Sequence, residues 1–425
     1  MMQIKLLLSL SGFVFVFSFV GISAARATAT FILPQLKSFQ PKIRTRLERK
    51  FIRLDAIVVN NKDAESDNTS SSPIIAPLAD LPMRRLKLPR MAAGREYVIV
   101  PLKINDQGPF DFMVDTGLTA ELITPHLQQS LAIDNDGETI VEGLAAGGRM
   151  QEEKLVELSG LKLCSSEGDL SLPKLHAIVT DFEQEHMDPA HDPVEGMLGM
   201  EMLELFDVDF DFPAGRLRLW APGTAAAVAE RDRLVEIPSA VLNETLLLCI
   251  RVTSGKNEKD KRETSDQRAK PFKQPFIGII DYGSSFSAVN WAAAELLDLP
   301  PKTNRFAYLG SPIILGVGID NKPLPLLTKS VQFTFVGDAT KQDENGRVLE
   351  FAKPPTEWNP WTPVTVGIGD LPIFDLVLGD EKTKFEGPAA IIGMDVLSQR
   401  RVVLETCRGS IQCSARRRRL FVSPE

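Results

Sequence analysis

The segment GPFDFMVDTG (residues 108–117) lies without a gap on QPFIGIIDYG (274–283), and this duplication constrains the fold more than any other feature. Pro109 falls on Pro275, Phe110 on Phe276 and Asp115 on Asp281. Downstream, MLGMEML (197–203) falls on IIGMDVL (391–397), so that Gly199 answers Gly393. In each copy an apolar strand runs into Asp-x-Gly, and a hydrophobic–hydrophobic–Gly strand follows at domain scale. Asp115 and Gly199 are 84 positions apart, Asp281 and Gly393 are 112 apart. The excess sits in the polar stretch 337–363, which reads as a surface insertion, and a second polar insertion covers 253–270. Each half closes in hairpin-like text, FDVDFDFPAGRLRLW and RRVVLETCRGSIQCSARRRRLFV. The chain therefore reads as two copies of one unit, lobes at 93–225 and 233–425, joined around PGTAAAVAERDR (222–233).

The text of both halves is short apolar runs broken by Gly, Pro and Asp, with few long helical periods, so the expected fold class is all-β. Ordered structure is expected to begin near REYVIVPLKIND (95–106). A chain of 425 residues can hold two lobes with substantial cores. Hydrophobic content of 44% and charged content of 24% argue against wholesale disorder. The formal net charge of −8 excludes nucleic acid as the main partner, since phosphate binding wants a basic surface. The one dense basic cluster, RRRR at 416–419, reads as a solvated strand end or loop.

Lys5 is followed by uncharged LLLSLSGFVFVFSFVGISAA and then by ARA at 25–27, a small-residue cleavage pattern. Residues 1–27 read as a signal peptide, with an uncleaved anchor as the competing reading. Residues 28–92 read as a basic pro-segment or transit region followed by the polar linker NNKDAESDNTSSSP. Secretion permits disulfides. The pair in CRGSIQC, Cys407 and Cys413, could close a small loop, and Asn68 and Asn243 head glycosylation triplets.

Asp and Gly are ordinary turn residues, and a lone Asp-x-Gly between strands is mostly a tight connection. Two copies at the ends of two equivalent strands point further, to a pair of carboxylates meeting on a pseudo-twofold axis. Two carboxylates a few ångströms apart share one proton, so one can draw a proton from water while the other donates to a carbonyl. Gly117 and Gly283 would let the loops approach closely. The competing motifs are weak. HMDPAHD (186–192) reads as a polar loop rather than a metal site, and GVG (316–318) and GIG (367–369) read as turns.

On these motifs the chain resembles aspartic proteases of the pepsin/retropepsin superfamily over about residues 95–425. The resemblance implies two β-barrel-like lobes with an active cleft between them. It implies peptide-bond hydrolysis by Asp115 and Asp281 on a polypeptide substrate, in a monomer that needs no metal or cofactor and no membrane after signal cleavage. It also implies that Gly199 and Gly393 lie on strands interlocking with the Asp loops, and that VEGLAAGGRMQ (141–151) and ILGVGIDNKP (314–323) are flaps. Thr116 matches the hydroxyl residue that the family places after each Asp, and Tyr282 departs from it. Ser284 matches the hydroxyl that bonds the carboxylate in many members, and Leu118 departs from it. Neither flap carries the Tyr of pepsin-like flaps. The Tyr282 ring is expected to line the cleft or to pack beneath it. The rival function is a weak or inactive protease-fold protein that binds peptides or inhibits.

The expected destination is the secretory pathway, with a plastid reached by two-part targeting as the alternative. A reporter fused after residue 90 should be secreted; delivery to a plastid would instead make the basic stretch a transit peptide.

Overall fold

A computed structural model describes residues 16–17, 75–86, 96–133, 139–145, 148–181, 192–241, 247–255, 274–317, 323–337, 339–342, 348–351, 361–379, 384–406 and 417–424. The Cys407/Cys413 pair, the HMDPAHD motif except Asp192, and the glycosylation triplets lie outside these residues, as do residues 1–27 apart from Val16–Phe17, which pair with Ile314 and Ile313, and residues 28–92 apart from 75–86. No helix among the described residues is long and apolar enough to cross a membrane.

The repeat seen in the sequence is a repeat of elements. Strand Tyr97–Ile104 pairs antiparallel with the Asp115 strand Gln107–Val114, as Leu248–Ser254 pairs with the Asp281 strand Phe276–Ile280. Each Asp strand then lies parallel to its Gly strand, Val194–Leu198 in the first lobe and Ala389–Ile392 in the second. Each Gly strand takes an antiparallel neighbour on its other side, Glu121–Ile123 or Ala288–Val289. A short helix follows in both, Pro125–Ser130 capped by Thr124 and Trp291–Leu296 capped by Asn290, each cap accepting from a backbone N–H of the first turn. The flap candidates are hairpins, Thr139–Ala145 with Gly148–Leu158 and Ile313–Val317 with Pro323–Val331.

Local chemistry explains the strand ends. The Asp115 strand is exposed at its start and buried on both faces at Phe112-Met113-Val114, where neighbouring strands cover it. Its hairpin turns at Asn105 and Asp106, both with left-handed backbone (φ 51° and 61°), a conformation these two residue types tolerate.

The lobes are joined by a sheet to which both contribute. Its order is Ala79–Pro82, Arg216–Trp220, Asp207–Asp211, Val402–Leu404, Arg417–Val422 and Val235–Val241. The lobe boundary falls where Phe210 pairs with Val402 and Val208 with Leu404. The described structure thus starts before REYVIVPLKIND, because Ala79–Pro82 fills the outer edge of this sheet beside Arg216–Trp220. The joining segment is more than a linker. Ala225–Asp232 is a helix whose Ala225, Val228 and Ala229 pack with Trp220, Val403 and Phe421.

The arginine run differs from its solvated reading. Arg417–Val422 lies inside the joining sheet, and Arg418 is 5% exposed and paired with buried Glu204 of the first lobe. Arg419 pairs with Glu405. Alternation on the strand puts Arg418 on the buried side of the sheet, which charge density in the sequence does not reveal. Beside it, Arg401 of the second lobe holds both oxygens of Asp209 at 2.8 and 2.7 Å, and Asp209 has no exposed side-chain surface. Removing one partner of a buried pair leaves the other charge uncompensated, at a cost of roughly 3–5 kcal/mol. Arg418→Met should lower the unfolding free energy by that order in denaturant titration. Breaking the exposed Lys174–Glu157 pair should change it by about 0–1 kcal/mol.

Candidate active site

The structure brings Asp115 and Asp281 together at the lobe boundary. Each Asp continues its strand into the interlock: Asp115 N–H donates to Leu198 O at 2.9 Å and Asp281 N–H to Ile392 O at 3.0 Å. The residue after each Gly strand closes it, with Met200 N–H donating to Leu118 O (2.7 Å) and Met394 N–H to Ser284 O (2.8 Å). Gly199 and Gly393 are glycines because the opposite backbone fills the space: a Cβ would lie 2.6 Å from Ala120 O in one and 2.5 Å from Phe286 O in the other.

Gly117 and Gly283 face the opposite carboxyl group. A Cβ on Gly117 would stand 2.6 Å from Asp281 Oδ1, and one on Gly283 would stand 2.1 Å from Asp115 Cγ. Each Gly also donates its N–H to the carboxyl of its own loop, Gly117 to Asp115 Oδ1 at 2.7 Å and Gly283 to Asp281 Oδ1 at 2.9 Å. The two carboxyls hydrogen-bond to each other. Burial raises the pKa of Asp115 above the ordinary carboxylate range. Burial and then the charge of Asp115 raise that of Asp281. The Gly117 N–H works against the rise at Asp115, and the Gly283 and Ser284 N–H groups work against it at Asp281.

Thr116 ties the loops across the boundary at two points. Its Oγ1 donates to Ile280 O and accepts from Tyr282 N–H, both at 3.0 Å. Tyr282 gives no counterpart. Its ring is fully buried and stacks on Phe210 of the first lobe, and its hydroxyl has no hydrogen-bond partner among the described residues. Ser284 departs from its expected contact: Oγ donates to Phe286 O at 2.7 Å, a bond within its own turn, rather than to Asp281. Among the described residues no cluster of His, Cys, Asp and Glu could hold a metal ion, and Cys164 and Cys249 are free.

One further pair of positions escaped the motif reading. Glu121 and Ser287 occupy equivalent places in the repeat, six residues after each Asp. Ser287 Oγ accepts from Gly393 N–H at 3.0 Å and donates to Asp395 at 2.7 Å. Glu121 Oε1 accepts from Met202 N–H at 3.0 Å, while Oε2 has no partner among the described residues. Ser287 thus holds the backbone at the end of its Gly strand, and Glu121 holds the short helix Met200–Leu203 that follows its own. A Glu inside the apolar text AELIT was the signal for this.

Residues 100–202 match the family model described as Aspartyl protease. Among solved structures the chain is similar to a retropepsin-like aspartic protease from Rickettsia conorii, with 17% identity over 32% of this chain and 89% of that one and a TM-score of 0.21. It is also similar to Basic 7S globulin from soybean, with 10% identity over 82% of this chain and 95% of that one and a TM-score of 0.38. No curated protein sequence matches it. The family match falls on the first lobe, and the chain is mainly β with two lobes, each presenting an Asp-x-Gly loop beside its Gly strand.

Burial, and next the charge of Glu201, raise the pKa of Glu121 to about 8 from an ordinary 4.5. The folded state therefore binds a proton that the unfolded chain has lost, and stability falls as pH rises between those two values. The slope from this group is about 1.4 kcal/mol per pH unit inside that window. Glu121→Gln should flatten the decline between pH 5 and 8 in denaturant unfolding (limits set just inside the window); an unchanged slope would assign the decline to other groups.

Proposed function

We propose that the protein is an aspartic endopeptidase in which Asp115 and Asp281 act as one dyad on a polypeptide held between the lobes. The observation that supports this most is the reciprocal seating of each carboxyl against the glycine of the opposite loop. Two carboxyls so close cannot both ionise comfortably, and the pair carries a single proton across the working range. The ionised member takes a proton from a water molecule whose oxygen attacks the scissile carbonyl carbon. The protonated member gives its proton to the carbonyl oxygen. Breakdown of the resulting gem-diol then cleaves the C–N bond: the dyad's proton passes to the leaving amine, and one gem-diol hydroxyl returns its proton to the dyad as the new carboxyl forms. This chemistry calls for no metal or cofactor, and a monomer suffices because one chain supplies both carboxyls. The N-terminal text supports a secretory destination, with a plastid as the alternative.

A second reading has its own support. Leu118 carries no hydroxyl and Ser284 spends its hydroxyl on Phe286 O, so neither carboxyl receives a hydroxyl from the position after its glycine. A dyad held by backbone N–H groups without that support fits a slow enzyme or a peptide-binding module.

Turnover of an unstructured protein, with and without a statine peptide, separates the two. Asp115→Asn and Asp281→Asn should each abolish hydrolysis as fully as the double substitution, because paired groups act as a unit. The raised pKa values keep the one-proton pair intact above the ordinary carboxylate range. Activity should therefore fall on the acid side as both carboxyls protonate, and on the alkaline side only as the second proton leaves. Binding of the statine peptide without turnover would favour the binding module. An Asp281→Asn protein with most of its activity would rule out the two-lobe dyad.

A further inference from the structure

Tyr282 stands where a cross-loop hydroxyl would mirror Thr116, yet its hydroxyl has no hydrogen-bond partner among the described residues. Its ring lies on Phe210 with centroids 3.8 Å apart and planes at 7°, and it runs parallel to Phe212 at 6.0 Å. Phe210 lies in the first-lobe strand Asp207–Asp211 and Phe212 just past its end, with the two rings 6.4 Å apart and nearly parallel. Arg85 caps the outer end of this stack, 5.1 Å from the Phe212 centroid. Phe210 is also the residue paired across the lobe boundary with Val402, and its neighbour Asp209 is held by Arg401.

We infer that Tyr282 is a positioning residue whose ring, clamped on Phe210, anchors the Asp281 loop to the first lobe in place of the absent second hydroxyl. The inference rests on the dyad reading above. Tyr282 adjoins Asp281 directly, and the first lobe holds it at two points, its N–H by Thr116 and its ring by Phe210. Stacked aromatic pairs are worth more than the area they bury. A buried hydroxyl with no partner among the described residues is a liability, so the ring and not the hydroxyl explains a Tyr at this place. A Thr here would offer a hydroxyl to the opposite loop but leave a ring-sized space beside Phe210. The loop next to Asp281 would then be free to settle into it.

The test uses the full chain and two readouts: turnover of an unstructured protein, and titration of the Asp carboxyls followed by carbon-13 resonance. Tyr282→Phe keeps the stack and should match the parent in both. Tyr282→Thr and Tyr282→Leu should lower kcat on the order of a hundredfold, as a misplacement near 1 Å does, with KM little changed and the titration of the Asp pair shifted. Phe210→Leu removes the same stack from the other lobe and should act alike. Combined with Tyr282→Leu it should cost no more than either alone, since both remove one interaction. A folded Tyr282→Thr or Tyr282→Leu protein that titrates and turns over like the parent would overturn the inference. Should both fail to fold, a Phe210→Leu protein with parental titration and turnover would overturn it equally. A parent that neither cleaves protein nor binds a statine peptide would sink the hydrolysis reading, and the carboxyl titrations would still decide the role of Tyr282.

Discussion

The close approach of the two Asp-x-Gly loops is the constraint on which the rest of the structure depends. Each glycine stands where the carboxyl of the other lobe leaves no room for a methyl group. That contact buries Asp115 and half-buries Asp281, raises their affinity for protons and makes their ionisation a joint property. It also demands that two separately built lobes meet with an accuracy of a few tenths of an ångström. Much of the remaining architecture answers that demand. The Gly199 and Gly393 strands brace each loop from behind, and the shared sheet fixes one lobe on the other.

The joining sheet does this with buried charge as well as backbone pairing. Glu204 with Arg418 and Asp209 with Arg401 each link an acid of the first lobe to an arginine of the second. Such pairs add little net stability over apolar packing, but a displaced partner would leave a bare charge in a dry place. Their consequence is directional: the lobes have one low-energy way to meet. Burial pushes the pKa of Arg418 down to about 10, which still leaves it charged at neutral pH.

Within this frame the two halves have parted. Thr116 makes both of its cross-boundary bonds, while its counterpart has become a stacked ring. Ser287 and Glu121 hold backbone at or just past the two Gly strands with different chemistry, one a neutral hydroxyl and the other a carboxyl driven toward its protonated form. Duplication preserves the backbone positions that sterics dictate and leaves the side chains around them free to find separate solutions. The glycines and aspartates remain because no substitute fits. Their neighbours differ because more than one substitute does.

The repeat alone made the fold class and the two-lobe plan legible, as well as the four glycines and the two aspartates, since they recur at matched positions of the two copies, although the groups that force the glycines come from the facing backbone and the opposite lobe. Other features were out of reach. RRRR read as a solvated end, yet strand alternation places Arg418 beside an acid 214 positions away. The alanine-rich segment near 225 read as a joint, yet it is a helix with three side chains packed on the joining sheet. Ser284 read as a partner of the carboxylate, yet its hydroxyl rotates to a carbonyl two residues on. The sequence determined which backbone shapes were permitted, because steric rules act between chain neighbours. Only the tertiary structure decided which charges are dry, which hydroxyls find which acceptors, and that a tyrosine ring replaces a hydroxyl, because those outcomes depend on groups brought together from opposite lobes.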